Sequence, residues 1–222
     1  MLQLVIFDCD GVMFDSREAN RAYYDHLRAQ FGCPPMDEDE VSYVHSHNVF
    51  DSVAYIFRRH PEIRLETVNG YRTELGYEPF LRHMIMEPDL LEFLDYLKPR
   101  YHTAISTNRT TTMPRVLEAF QLGPWFDKVV TALDTPRPKP APDALHLILD
   151  HFGLNPDEAI FIGDSEVDRA HAASVGMELI AFKNPALPAG YHVQRFMEIP
   201  ALPPFCNGRA VGSATGQGGI KD

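Results

Sequence analysis

Val5-Ile6-Phe7-Asp8-Cys9-Asp10-Gly11-Val12-Met13-Phe14-Asp15-Ser16 is the stretch that decides how this chain is read. An apolar, β-branched run that begins at Gln3 ends in an acidic turn containing a glycine. A run with no polar alternation fits a strand buried on both faces of a parallel sheet. Two-residue spacing at the end of such a strand lets Asp8 and Asp10 both reach the crevice above the sheet. Gly11 permits a sharp exit and a close approach of the backbone to an anionic ligand. Two carboxylates this near each other repel unless a cation or proton intervenes, so a divalent metal is the economical explanation. Oxygen ligands alone favour magnesium. A solvated turn or a helix cap would use the same residues, so the motif needs support from elsewhere in the chain.

Four more apolar runs follow, at Thr103 to Ser106, Lys128 to Thr131, Ala159 to Ile162 and Glu178 to Phe182. Helical periodicity separates them. Pro114 opens one helix, with Val116, Leu117 and Phe120 on one face and Gly123 closing it. Pro142 and Asp143 open another, which turns Leu145, Ile148, Leu149 and Phe152 inward and stops at Gly153. A third follows Asp164, carries Val167, Ala170 and Ala173, and stops at Gly176. Strands alternating with helices imply a parallel sheet wrapped on both faces, an α/β fold.

Between the first and second strands lies far more chain than one crossover needs. Residues from about Arg17 to His83 show amphipathic helical stretches and no convincing strand, which reads as an inserted helical cap over the strand ends. The chain re-enters the core at Glu87-Pro88-Asp89 through a helix from Leu90 to Leu97. The expected division is therefore a core of residues 1–14 and 86–205, a cap of residues 15–85, and a flexible tail of residues 206–222 rich in Gly, Ser and Ala.

Three further segments support the acidic motif. Ser106-Thr107-Asn108 puts hydroxyls and an amide at the end of the second strand, where they can donate to phosphate oxygens or simply cap the strand. Lys139, just before the Pro142 helix, could pair with a phosphate and with a nucleophilic carboxylate. Gly163-Asp164-Ser165-Glu166-Val167-Asp168 sets two acids four residues apart at a strand-to-helix junction. Asp164 would reach a metal with Asp168 beside it, although helix capping uses acids there too.

In order, spacing and position after strands, these four motifs resemble the haloacid dehalogenase superfamily, in its phosphoglycolate phosphatase-like or β-phosphoglucomutase-like branch. The resemblance runs from Leu2 to about Phe182 and is stronger in the core than in the cap. It implies a Rossmann-like doubly wound sheet of order 3-2-1-4-5. It also implies Asp8 as nucleophile, Asp10 as general acid and base, and Lys139 as charge partner. Thr107 would supply the phosphate-binding hydroxyl, with Asn108 and Gly11 beside it and Ser106 as the competitor. The metal would be magnesium, held by Asp8, Asp10, Asp164 and Asp168. In the cap, His45, Ser46, His47 and Asn48 fall where the family places its substrate-specificity loop; His45, His47 and Asn48 are the candidates, against an ordinary interhelical turn.

The expected activity is phosphate monoester hydrolysis through an aspartyl phosphate. The alternatives are a sugar phosphomutase, which shares Asp8, Asp10 and the metal, and a non-catalytic phospho-ligand-binding regulator. Asp10 argues against dehalogenation, and the absence of Lys from Val12 to Leu97 argues against Schiff-base phosphonate cleavage. A net charge of -11, with no basic run, argues against a nucleic-acid or anionic-membrane partner. A small phosphorylated metabolite, a monomer or homodimer, and a reducing cytoplasm are the remaining expectations; Cys9, Cys33 and Cys206 show no framework spacing. Cys9 reads as a buried filler. His26, His60, His102, His146, His151 and His171 read as surface or helix-face residues.

Overall fold

Strand β1 (Leu4–Phe7) leads into β2 (Phe14–Asp15), which pairs antiparallel with β3 (Ile85–Met86). These elements belong to a computed structural model that describes residues 1–206. The strands β4 (His102–Ser106), β5 (Lys128–Val130), β6 (Ala159–Gly163), β7 (Glu178–Phe182) and β8 (Tyr191–Val193) join β1 in a parallel sheet of order β5-β4-β1-β6-β7-β8. Counted along the sheet's own strands this is 3-2-1-4-5-6, the expected order with one strand added. Strand β8 escaped the sequence reading because Tyr191–Val193 is only three residues long, has His192 exposed, and follows Pro188 and Gly190.

Period-two geometry explains the unbroken apolar strand. Leu4 and Ile6 join one buried cluster, Val5 and Phe7 the other, and all four are fully buried. On the Leu4 face lie Leu145, Ile148 and Leu149 of α7 (Asp143–Phe152) and Ala172 of α8 (Glu166–Ala173). On the opposite face lie Leu90, Phe93 and Leu97 of α5 (Leu90–Leu97), Val116 of α6 (Met113–Ala119) and Phe205 of α9 (Pro203–Cys206). There the Phe7 ring meets Phe93, Phe126 and Phe196 at centroid distances of 6.0, 5.6 and 5.9 Å. Each such aromatic pair adds about 0.5–1.5 kcal/mol beyond area burial. Both faces are thus covered, as a parallel sheet requires.

Helices α1 (Arg17–Gln30), α2 (Glu38–Ser46), α3 (Val49–Ile56) and α4 (Leu65–Leu75) fill the insertion. A reciprocal capping box between Asp37 and Glu40 starts α2, and Gly76, at φ +68°, ends α4. Glu40, almost wholly buried, receives Arg28 of α1 at 3.0 Å and Arg58, just past the end of α3, at 2.8 Å, which ties both segments to α2. The chain enters the insertion after β2 and leaves it through β3, so both crossings lie side by side. Core packing does not stop there: one cluster runs from Phe7 through Cys9, Val12, Met13 and Phe14 to Tyr23, Tyr24 and Leu27.

Two helix expectations need correction. Helix α6 ends at Ala119, and Gln121, at φ +55°, makes the left-handed turn that Gly123 was expected to make. Helix α8 buries His171, expected on a surface or helix face, together with Asp168 and Ala172, because His171 bonds Ser106 of β4 and Asp168 pairs with Lys139 from the loop before α7. Apart from Cys206, the last residue of α9, the expected tail lies outside the described residues. Among the described residues no helix is long and apolar enough to cross a membrane.

Candidate active site

Asp8, Thr107 and Asp164 follow the carboxyl ends of β1, β4 and β6, beside the point where the strand order reverses. They line one cleft of about 290 Å³, roofed by residues of α1, α2 and α4. At its floor the Lys139 ammonium sits between Asp8 Oδ1 and Asp168 Oδ1, donating to each at 2.7 Å. Asp168 is fully buried, and its other oxygen accepts from the Ser165 hydroxyl at 2.8 Å and the Asp164 amide at 3.2 Å. With both oxygens committed, Asp168 aims Lys139 and caps α8 at once.

One oxygen each of Asp8, Asp164 and Asp168 can be chosen so that all lie within 4.8 Å of one another. Among the described residues no side chain donates to the Asp164 carboxylate, and Lys139 is the cluster's one basic partner. Burial, and then the neighbouring acids Asp168 and Asp10, push the Asp8 carboxyl up to about 7 in spite of Lys139. Asp164 is also driven well above the carboxylate range, by burial and then by Asp168 and Asp8. Carboxylates that resist ionisation in a shared pocket, with one left unpartnered, form a donor set that suits a hard divalent cation.

Asp10 stands outside that cluster, although the sequence reading counted it among the metal ligands. Both its oxygens are engaged: Arg109 Nε donates to Oδ2 at 2.7 Å, Nη2 to Oδ1 at 2.6 Å, and the Ser16 hydroxyl also donates to Oδ1. Burial alone would raise its pKa, but the Arg109 guanidinium outweighs burial and holds it below the usual carboxylate range. Gly11 differs from expectation too. Its N–H is spent on the Phe14 carbonyl at 2.8 Å and is not free for phosphate. The glycine is required because a Cβ there would lie 2.1 Å from Asp164 Oδ2, at a backbone φ of +81°.

Thr107 lines the cleft, whereas Ser106 points the other way and bonds His171 Nε2 at 3.0 Å. Thr107 Oγ1 accepts from the Arg109 amide at 3.1 Å, which leaves its hydroxyl proton to donate. The Asn108 amide donates to the Lys139 carbonyl at 3.3 Å and to the Ser46 carbonyl at 3.2 Å, joining core and roof.

The roof cluster divides. His45 and His47 line the cleft; Asn48 does not. Asn20 Nδ2 bonds His45 Nδ1 at 3.3 Å, and the Tyr77 hydroxyl donates to Asn20 Oδ1 at 2.8 Å. Burial, opposed by Asp10, lowers the His45 pKa, so a neutral ring accepts at Nδ1 and carries its proton on Nε2. His47 has the opposite arrangement: Nδ1 donates to the Tyr43 carbonyl at 2.9 Å, and the ring stacks on Tyr43 at 3.8 Å. Asn48 is the N-cap of α3, with Oδ1 accepting from the Phe50 and Asp51 amides at 2.9 and 3.1 Å. Its expected role in specificity is therefore corrected to helix capping.

Sequence reasoning missed Arg109, Ser16, Asn20, Tyr77 and His171. Arg109 directly follows Thr107-Asn108, and that adjacency was the available signal. For His171, fully buried beneath Ser106, there was none.

The family model of haloacid dehalogenase-like hydrolases matches residues 5–182. Phosphoglycolate phosphatase 1 of Pseudomonas aeruginosa is 27% identical over 190 residues, 81% of this chain and 68% of that protein. Pyrophosphatase PpaX of Bacillus velezensis is 30% identical over 168 residues, 74% of this chain and 75% of that one. The crystal structure of a HAD-superfamily hydrolase, subfamily IA, from Geobacter sulfurreducens aligns with a TM-score of 0.79 at 37% identity, covering 90% of this chain and 99% of that one. A β-phosphoglucomutase of Clostridium difficile gives the same TM-score at 18% identity, covering 90% and 93%, a likeness of fold alone.

Proposed function

We propose that this chain, which belongs to the haloacid dehalogenase-like hydrolase family, is a magnesium-dependent phosphatase that cleaves a small phosphate monoester through an aspartyl phosphate on Asp8. The observation that carries this reading is the asymmetry of Asp8. Lys139 holds Oδ1, while Oδ2 accepts no hydrogen bond among the described residues and is left to attack. Asp8 and Asp164, with Asp168 beside them, would hold the magnesium ion, which supplies charge neutralisation for a phosphoryl group.

The chain's own residues account for the two displacements. Asp8 Oδ2 forms a bond to phosphorus as the ester P–O bond breaks, and Asp10 gives its proton to the departing oxygen. For that, one Asp10 oxygen has to leave the Arg109 fork and carry the proton toward the cleft. In the second displacement water attacks phosphorus, its proton passes to Asp10, and the Asp8–phosphorus bond breaks. The Arg109 fork suits this step, because it favours the ionised Asp10 that water activation needs. Lys139 offsets charge on the phosphoryl oxygens throughout, and Thr107 donates its hydroxyl to one of them. Helices α1, α2 and α4 limit bulk water over the site.

The test is turnover of a panel of phosphorylated acids, sugars and nucleotides with magnesium and with chelator, followed by acid-quench trapping of labelled phosphate. Magnesium-dependent hydrolysis, with label retained on wild type and absent from Asp8→Asn, is expected. Near-normal hydrolysis by Asp8→Asn would overturn the reading.

A further inference from the structure

Among the described residues four arginine and lysine side chains line the cleft: Arg72, Arg109, Arg115 and Lys139. Three are spent on the protein's own carboxylates. Arg109 holds Asp10, Lys139 holds Asp8 and Asp168, and Arg115 pairs with Glu78 and Glu118. Arg72, in the last turn of α4, forms no ion pair with a carboxylate among the described residues. It is half-buried yet carries an uncompensated charge at the wall of a site meant for an anion.

The guanidinium is also held in place. Its Nε donates to Asn69 Oδ1 at 2.6 Å, one helical turn back. Its carbon lies 4.7 Å from the centroid of the Phe50 ring, which leaves Phe50 49% exposed on α3. The exposed Phe50 ring thus forms a platform beneath that cation. With Nε and one face fixed, and the Tyr23 hydroxyl also beside the guanidinium, the terminal nitrogens are held as a fork toward the cleft, the geometry that takes the oxygens of an oxyanion.

We propose that Arg72 docks a second oxyanion group, carboxylate or phosphate, carried by the leaving group of the substrate, an inference that rests on the phosphatase reading above. The phosphoryl group under attack meets the floor of the cleft, at Asp8, Thr107 and Lys139. Arg72 stands on the roof and meets whatever the phosphoryl group is attached to. Its charge makes that attachment anionic, so neutral sugar phosphates and simple alkyl phosphates are poor substrates. His45 and His47, which line the same cleft, present ring nitrogens to uncharged parts of the same group.

The test compares matched pairs with magnesium present: phosphoglycolate against 2-hydroxyethyl phosphate for the carboxylate, and propane-1,3-diol bisphosphate against 3-hydroxypropyl phosphate for the second phosphate. Wild type should favour the doubly anionic member of at least one pair by roughly ten- to a hundredfold in kcat/KM, expressed mainly in KM. Whichever pair shows the preference identifies the oxyanion. In Arg72→Gln that ratio should fall to about one, and in Arg72→Lys, which keeps charge without the fork, it should be intermediate. Wild type that turns over both members of both pairs alike overturns this inference and leaves the phosphatase reading standing. So does an Arg72→Gln variant that loses equally on both members of the preferred pair. Failure of wild type to hydrolyse any ester overturns both. The wild-type comparison needs no variant, so a misfolded Arg72→Gln does not remove the test.

Discussion

Both oxygens of Asp10 sit in the guanidinium fork of Arg109, at 2.7 and 2.6 Å, and Arg109 is itself pressed against the Tyr77 ring at 4.9 Å. The fork is bidentate and nearly dry, with 6% of the Arg109 side chain exposed. Tyr77 belongs to the end of the insertion and Asp10 to the strand end of the core, so Arg109 links the position of one to the proton affinity of the other. In Arg109→Ala the cause that depresses the Asp10 pKa disappears while burial remains, so the carboxyl rises. Ionised Asp10 is what activates water, and its loss then begins at higher pH. The acid limb of the kcat profile should shift upward, with kcat down roughly tenfold or more even at its optimum. Arg109→Lys should fall between, having charge without the fork. A folded Arg109→Ala enzyme with unchanged kcat and an unmoved acid limb would remove Asp10 from its assigned role.

Metal binding should release protons. Asp8 is pushed up to about 7 and Asp164 well above the carboxylate range by burial and mutual repulsion, so near neutral pH the metal-free cluster holds protons that a cation expels. Magnesium titrated calorimetrically near pH 7, in buffers of different ionisation enthalpy, should give a heat that depends on the buffer. Asp164→Ala should bind magnesium at least about tenfold more weakly and release fewer protons. A buffer-independent heat in wild type would contradict this electrostatic account.

How much of this was legible in the sequence depended on how local each signal was. Asp8 and Asp164 each follow a buried apolar run, so strand, turn and acid could be read within a few residues. The sheet order came from resemblance, and β8 was too short and polar to announce itself. Arg109 reaches Asp10 across 99 positions and His171 reaches Ser106 across 65. No periodicity separates a buried arginine or histidine from a solvated one when its partner is that far away. Asn48 failed for the opposite reason. Its capping of α3 is a contact two and three residues on, readable from Asn before an apolar run, but it was absorbed into a polar cluster.

Asn48 and His47 should therefore part company under mutation. Asn48→Ala removes the acceptor for two amides at the start of α3 and should cost about 1 kcal/mol of stability, with KM for the preferred ester unchanged. His47→Ala removes a ring lining the cleft and should raise KM several-fold, with a smaller effect on the melting temperature. Chemical denaturation and steady-state kinetics on the two variants decide it. A KM effect in Asn48→Ala equal to that in His47→Ala would return the pair to a single functional loop.

His171 should set part of the acid sensitivity of the fold. It is fully buried on α8, bonded through Nε2 to the equally buried Ser106. Burial first, and then the Lys139 charge, lower its pKa from 6.5 to about 4. The unfolded chain keeps an ordinary imidazole, so below about pH 6.5 it binds a proton that the folded protein refuses. Stability should fall as pH drops from about 6.5 to about 4 and level off below, where both states are protonated. The difference corresponds to about 3 kcal/mol, since one pH unit of separation is worth about 1.4 kcal/mol. Asp8 works against this trend in the metal-free protein: its folded pKa, about 7, lies above the unfolded value, so its protonation stabilises the fold as pH falls. Comparison with His171→Gln cancels that contribution, because Asp8 is present in both proteins and only the ring is lost. Denaturant midpoints measured with chelator from pH 7.5 to 3.5 should converge for the two proteins toward acid, with His171→Gln losing less on the way. Parallel curves across that range would mean that His171 titrates alike in both states, and that its burial carries no electrostatic cost.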